Sequence, residues 1–359
     1  MSLSLGIVGL PNVGKSTLFN ALTRSKQADA QNYPFCTIEP NVGIVEVPDN
    51  RLQKLSDISK SKKIIPTAIE FVDIAGLVAG ASEGEGLGNK FLSHIREVDA
   101  IVQVVRAFEN NNITHVHNKI DPNNDVDIIN LELVLADSQT VKKRLENTSK
   151  KAKGIAVKEF AIEIALLEKL DKHLLEGKPA RTLEYTDDEF LILQDLHLLT
   201  MKPMMYVIND DDNLSASEEK IKFSKNEVSV KVCAKLEAEL AELSVEDAKE
   251  FMKDLGMNQS GLDKIILAGY KLLKLVTYFT SGEQETRAWT VKEGTIAPKA
   301  AAVIHTDFEK GYIKADVTKY ENFVEFNGWN GVKENGKMLL VGKDYIVQDG
   351  DVCYFHISP

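Results

Sequence analysis

The chain has 359 residues, 43% of them hydrophobic and 27% charged, and carries a net charge of −11. That length holds two or three domains, and the composition is that of an ordinary soluble protein. No apolar run approaches the ~18 residues that span a membrane, and the acidic balance argues against coating nucleic acid through overall charge, leaving only a local basic patch compatible with it.

The first element follows almost at once. Leu5-Gly6-Ile7-Val8 is apolar enough for a buried strand and leaves no room for a signal peptide, so a cytoplasmic protein is expected. Residues 9–16 then read Gly-Leu-Pro-Asn-Val-Gly-Lys-Ser, a complete G-x-x-x-x-G-K-S phosphate loop, and the segment from Ser16 to Leu22 reads as a helix. The glycines let backbone N–H groups turn inward around a phosphate at the helix N-terminus. Asn12, Val13, Gly14, Lys15, Ser16 and Thr17 are thus the phosphate-binding candidates, with Lys15 the catalytic cation and Ser16 a Mg²⁺ ligand.

Asn32 to Pro40 is a polar, proline-bounded loop before the strand Val42 to Val47, where a switch protein keeps its first switch. Thr37 is the natural second Mg²⁺ ligand there. Cys36 lies in the same loop, either as an inert buried thiol or as an oxidisable one. With Cys233 and Cys353 it makes three scattered cysteines, which fit reduced thiols better than a disulfide framework or a zinc site.

The strand Ala68 to Val72 ends in Asp73-Ile74-Ala75-Gly76, a second-switch D-x-x-G in which Asp73 supports Mg²⁺. Four glycines follow in the nine residues 80–88, as suits a mobile lid. Small GTPases often place a water-orienting Gln directly after D-x-x-G, but here the residue is Leu77, so slow intrinsic turnover is expected. His115, after the strand 100–105, is one candidate to supply the missing contact, with a plain surface histidine as the alternative. Arg96 and Arg106 are further candidates.

The base-reading motif N-K-x-D occurs literally at Asn118-Lys119-Ile120-Asp121, but no buried strand delivers it, and Pro122 and an Asn/Asp cluster follow. The better context is the apolar strand 203–208 ending in Asn209-Asp210-Asp211-Asp212, where Asn209 and Asp210 are placed against the base. The motif lysine is missing. The strand 228–232 then leads to Cys233-Ala234-Lys235, close to the S-A-K that touches the base, which adds Ala234 and Lys235 to the binding set.

Between these strands, residues 131–200 read as helical. Ile162, Leu166, Leu170 and Leu174 form a stripe and Gly177-Lys178-Pro179 a break, as two antiparallel helices require. Seven basic residues against one acidic give residues 142–158 a charge of +6. The cluster Lys142, Lys143, Arg144, Lys150, Lys151 and Lys153 is either a solvated face or an rRNA-contacting tip. Residues 236–275 return to helix. From Thr277 the pattern changes to short strands (287–291, 311–317, 344–347, 352–357) around a helix at 300–304, resembling the TGS β-grasp module. Its 9 Lys/Arg against 12 Asp/Glu make any RNA contact local.

These motifs, with Gly86-Leu87-Gly88-Asn89, Leu131-Glu132-Leu133 and Arg287-Ala288-Trp289-Thr290, carry a nearly end-to-end resemblance to the YchF, or Obg-like ATPase, family. The resemblance implies an α/β P-loop, Ras-like G domain (residues 1–130 and 201–275) with an inserted antiparallel helical arm (131–200) and a C-terminal TGS domain (276–359). It also implies a ribosomal partner, at the large subunit, and a fourth motif altered so that ATP is accepted. Family members usually carry Asn-x-x-Glu there; Asp212 stands at the Glu position, which leaves GTP use open. The expectation is a slow, Mg²⁺-dependent ATPase switch. The alternatives are a GTPase, or a nucleotide-regulated binding protein whose hydrolysis is incidental.

Overall fold

A computed structural model describes residues 3–25, 41–74, 86–110, 120–152, 157–211, 221 and 227–358. Thr37, Cys36, Gly76, Leu77, His115, Asn118, Lys153 and Asp212 lie outside the described residues.

In chain order the first half comprises β1 (Ser4–Val8), α1 (Lys15–Ser25), β2 (Val42–Glu46), α2 (Arg51–Ser59), β3 (Ile64–Ile65), β4 (Ala68–Asp73), α3 (Gly86–Glu97), β5 (Ala100–Arg106), α4 (Pro122–Lys151), α5 (Val157–Leu175) and α6 (Asp187–Gln194). Then follow β6 (Met204–Asn209), β7 (Val228–Val232), α7 (Ala234–Leu240), α8 (Val245–Asp254), α9 (Gly261–Leu272), β8 (Leu275–Ser281), β9 (Thr286–Lys292), α10 (Ala297–Ile304), α11 (Asp307–Gly311), β10 (Tyr312–Lys319), α12 (Tyr320–Glu325), α13 (Trp329–Glu334), β11 (Leu339–Val341) and β12 (Asp351–Ile357).

The first sheet has the order β2-β4-β1-β5-β6-β7. β1 runs parallel to both β4 and β5, and β6 parallel to β5 and β7. β1 and β5 are buried along their whole length, as a central parallel strand with both faces covered must be. Parallel pairing also puts the C-terminal ends of β1, β4, β5, β6 and β7 on one edge of the sheet, where an open α/β sheet binds its ligands.

The helical arm begins earlier than the sequence suggests. The Asn/Asp cluster after Pro122 reads as loop, yet α4 starts at Pro122 and runs for 30 residues. Asp121 is its N-cap, its Oδ1 accepting from the Asn124 amide at 3.2 Å, with proline at the first helical position. The carboxylate of the literal N-K-x-D motif is therefore used in starting a helix. α4 and α5 bury Val134, Val141, Leu166, Leu167, Leu170 and Leu174 against one another. Ile162 leaves the expected stripe and is 55% exposed. A strict four-residue repeat drifts around a 3.6-residue helix, and Leu167 takes the inward place instead.

Asp137 ties the base of the arm down. Its fully buried carboxylate accepts from the amides of Leu199 and Thr200, at 2.8 and 2.7 Å, and from the Thr200 hydroxyl at 2.6 Å. Burial pushes this carboxyl above its usual range, while the bonds from Thr200 and Leu199 pull the other way. Asp137→Ala is expected to destabilise the protein by roughly 3 kcal/mol or more, because two buried amides lose their acceptor. Urea unfolding, with faster hydrogen exchange at Leu199 and Thr200, checks it.

Packing divides the chain into two units, Glu70–Ile265 with the N-terminal segment, and Ile44–Ile69 with the residues from Ile266 onward. Leu52 and Leu55 of α2 are buried with Phe279, Ala288, Phe323 and Val352, so residues 44–69 group with the C-terminal part. The helical insertion packs within the first unit rather than standing apart.

The second sheet has the order β11-β10-β12-β8-β9-β3, with β12 and β8 parallel and β10 antiparallel to both of its neighbours. Its core buries Tyr278, Trp289, Val291, Ala300, Ala301 and Val317, and the Tyr278 hydroxyl donates to the Ala300 carbonyl of α10 at 2.8 Å. The mixed sheet packs α10 against this cluster, as expected of a β-grasp, and α2 and α12 against its second cluster. Of the strands read from sequence, 344–347 retains a single bridge, Ile346 to Ile296, and the strand lies instead at Leu339–Val341.

Candidate functional site

The site is assembled at the C-terminal edge of the first sheet. β1 hands over to the phosphate loop, whose glycines are required by space. A Cβ on Gly9 would sit 2.6 Å from the Val104 carbonyl oxygen. At Gly14 φ is +99°, and a Cβ there would collide with the Asn209 side-chain amide. α1 begins at Lys15, so its unpaired N–H groups and positive dipole end face the loop.

Lys15 is folded back over its own loop, its Nζ donating to the Leu10 carbonyl at 2.8 Å. Only 8% of the residue is exposed. Burial holds the ammonium below the normal lysine range, with Asp73 pulling it up. Such a cation seeks an anion to replace its lost hydration. The Ser16 hydroxyl donates to Asp73 Oδ2 at 3.4 Å, which brings the loop and the end of β4 together. Two hard oxygens side by side are a fitting partial set for a small divalent cation that takes its remaining ligands from phosphate and water.

A cavity of 710 Å³ adjoins the loop, bordered by Asn12, Gly14, Thr17, Phe108, Asn209 and Asp210 among others. A smaller space of 260 Å³ touches Ser16 and Thr17. Asn209, at the end of β6, spans the site. Its Nδ2 donates to the Val13 carbonyl and its Oδ1 accepts from the Ala234 amide, both at 2.9 Å. Its side chain thus locks the phosphate loop to the loop after β7. Asp210 Oδ2 lies 3.2 Å from Lys231 Nζ. Lys235 borders the cavity, but its side chain is 79% exposed and stands 3.9 Å from Glu239.

Sequence reasoning missed Phe108 and Asn110 and quoted Asp211 and Cys233 only as motif neighbours; all four also border the cavity. The rule that ligands gather beyond strand C-termini points to the residues after β5, but Phe108 and Asn110 match no motif. Arg106, fully buried, presents that loop. It donates to the Phe108 and Asn110 carbonyls at 3.2 Å and lies 4.4 Å over the Phe108 ring. Arg96 donates to the His197 carbonyl and the Thr140 hydroxyl, both at 3.4 Å. Neither arginine is among the described residues that border the cavity, and both anchor backbone through these bonds.

Comparison with known proteins identifies the family. The curated Bacillus subtilis protein named ribosome-binding ATPase YchF is 54% identical, with all of each chain covered. The chain belongs to the YchF family. The Escherichia coli O157:H7 protein of the same name is 50% identical over 99% of each chain. The solved structure of the Schizosaccharomyces pombe YchF GTPase superposes with a TM-score of 0.88 at 40% identity, covering 99% of this chain and 98% of that one. A profile described as a 50S ribosome-binding GTPase matches residues 4–157. The YchF-GTPase C-terminal profile, described as a protein of unknown function, matches residues 275–358. In fold this YchF-family chain is a P-loop G domain followed by the C-terminal YchF domain.

Proposed function

We propose that this YchF-family chain is a ribosome-binding switch that binds ATP and hydrolyses it slowly to ADP and phosphate. The observation that carries the reading is the assembly of Lys15, Ser16 and Asp73 beside the cavity crossed by Asn209. Its relatives' names, ribosome-binding ATPase, support both the activity and the partner. Asn12 to Thr17 hold the phosphates, and Lys15 neutralises charge developing on the β–γ bridge. Ser16 and Asp73, with Thr37, would hold Mg²⁺, which would polarise the phosphoryl oxygens. Phe108 offers a ring face to the base, while Asn209, Asp210, Ala234 and Lys235 border its edge. Turnover takes place in the cytoplasm.

Among the described residues no helix is long and apolar enough to cross a membrane. Competition titration of ATP against GTP with the purified protein tests the nucleotide assignment. ATP binding at least tenfold tighter is expected, and a clear GTP preference overturns it. A GTPase reading is favoured by Asp212 and by the S. pombe relative, which is named a GTPase.

The arm meets the large subunit's rRNA through its basic cluster. Lys142, Lys143, Lys150 and Lys151 are exposed, whereas Arg144 is committed to Glu163 at 2.6 Å. Charge reversal of the four lysines is expected to weaken ribosome co-sedimentation and flatten its dependence on salt by roughly three log units per decade. Unchanged binding and slope would remove the arm from the interface. Ribosome binding that is indifferent to nucleotide, and equal in wild type and Lys15→Ala, would favour a binding protein whose hydrolysis is incidental.

A further inference from the structure

We propose that α8 is a docking face for a partner protein's amphipathic helix, one with an apolar stripe flanked by lysine or arginine. This goes beyond the nucleotide reading and does not depend on it. α8 is a helix closed by its own ends. Ser244 caps it, its Oγ accepting from the Asp247 amide at 3.1 Å. At the other end Gly256 stands at φ +69°, and the Gly256 and Met257 amides donate to the Lys253 and Met252 carbonyls at 3.0 and 2.8 Å. Both closures use only residues 244–257.

None of the residues of α8 is buried. Yet Val245, Ala248, Phe251, Met252 and Leu255 recur at the three- and four-residue spacing that forms one helix face. Val245, Phe251 and Leu255 are 64%, 40% and 49% exposed. So short a helix is marginal in water, and its stability ordinarily comes from burying such a face. Here the caps are complete while the apolar face has no full cover among the described residues, the condition of a surface that another molecule completes.

Charge decides what that molecule is. By helical geometry Asp247 and Asp254 line one edge of the stripe with Glu250 behind them, and Lys249 and Lys253 line the other. The wider segment 234–257 holds seven acidic side chains against three lysines. Phosphate backbones and anionic bilayers meet this surface as like charge. A second copy brings the same acidic segment and a net charge of −11. The face is also peptide-sized, about 15 Å along one helix side, whereas stable interfaces between folded proteins bury about 1,200 Å² or more. A basic amphipathic helix suits both features, laying apolar residues on the stripe and its cations against the acidic edge.

The test is a fluorescence-anisotropy titration of the full chain with synthetic leucine–lysine peptides. In the first peptide the leucines share one helix face, the second has the same composition scrambled, and the third carries glutamate in place of lysine. The patterned basic peptide is expected to bind at least about tenfold tighter than either control. Phe251→Ser combined with Leu255→Ser leaves every charge in place and should weaken that binding by about tenfold or more, the scale of losing two apolar side chains from an interface. Glu250→Lys combined with Asp254→Lys should weaken it too and flatten its salt dependence. Both serine positions are exposed, so the first variant should melt with the wild type. Equal binding of the scrambled peptide, or of the patterned peptide to the Phe251/Leu255 variant, overturns the inference. A lowered melting temperature in that variant also overturns it, by making the stripe part of the chain's own core. So does loss in that variant of binding to polyuridylate RNA or phosphatidylserine vesicles, or of self-association in sedimentation, with peptide binding unchanged, which gives the face to that other occupant.

Discussion

Lys15→Met is expected to lower kcat/KM for ATP by at least about 100-fold, the scale of losing one preorganised charge at the transferring phosphoryl group. The lysine side chain also bonds to its own loop. Its ammonium is buried and bonded to the Leu10 carbonyl, so the lysine is held ready for phosphate before any ligand arrives. That readiness costs stability, since burial holds its pKa below the ordinary lysine value. A lowered lysine pKa means the folded state binds the proton less well than the unfolded one. The penalty is therefore present when the lysine is charged and relieved as pH rises through the folded value. Methionine keeps the stem and removes the charge, so the nucleotide-free variant should unfold at the same temperature as wild type or higher. Single-turnover kinetics and calorimetry check the two halves separately. A variant that loses activity only because it unfolds would fail the second.

Asn209→Ala should have the next largest effect, and on both stability and binding. One side chain satisfies the Val13 carbonyl and the Ala234 amide, 196 and 25 residues away along the chain. Alanine leaves both backbone groups buried without that partner, at about 1–3 kcal/mol each. The phosphate loop is no longer fixed to the loop after β7, so nucleotide affinity should fall by roughly 100-fold, the equivalent of about 2.7 kcal/mol. Equilibrium binding of a fluorescent nucleotide and urea unfolding measure these effects. Asn209→Asp is a useful contrast. It keeps the acceptor for Ala234 and loses only the donor to Val13, so an equal loss in both variants would show that the Val13 bond is the one that matters.

Asn209 also shows how legible the site was. Its place at the end of an apolar strand and its motif register were readable, because both depend on local pattern. Its action as a strut was not, because that depends on which backbone groups lie on either side of it. The same division separates the two N-K-x-D-like segments. Asp121 matches the motif by letters, but the fold makes it the cap of α4, and among the described residues it does not border the cavity.

The sequence alone determined the elements that carry their own periodicity and turn chemistry. These were the strand-loop-helix around Gly9 to Ser16, the strands ending at Asp73 and Asn209, and the helical character of the arm. Each is dictated by apolar spacing, by glycine where a Cβ would collide, or by a helix start, all local effects. Only the tertiary structure decided what those elements bring together. It placed Phe108 on the cavity wall under Arg106, paired Asp210 with a lysine from the next strand, and grouped α2 with the C-terminal sheet through Leu52 and Leu55. Such contacts join residues far apart in sequence, and the burial that makes them strong exists only once the chain has folded around them.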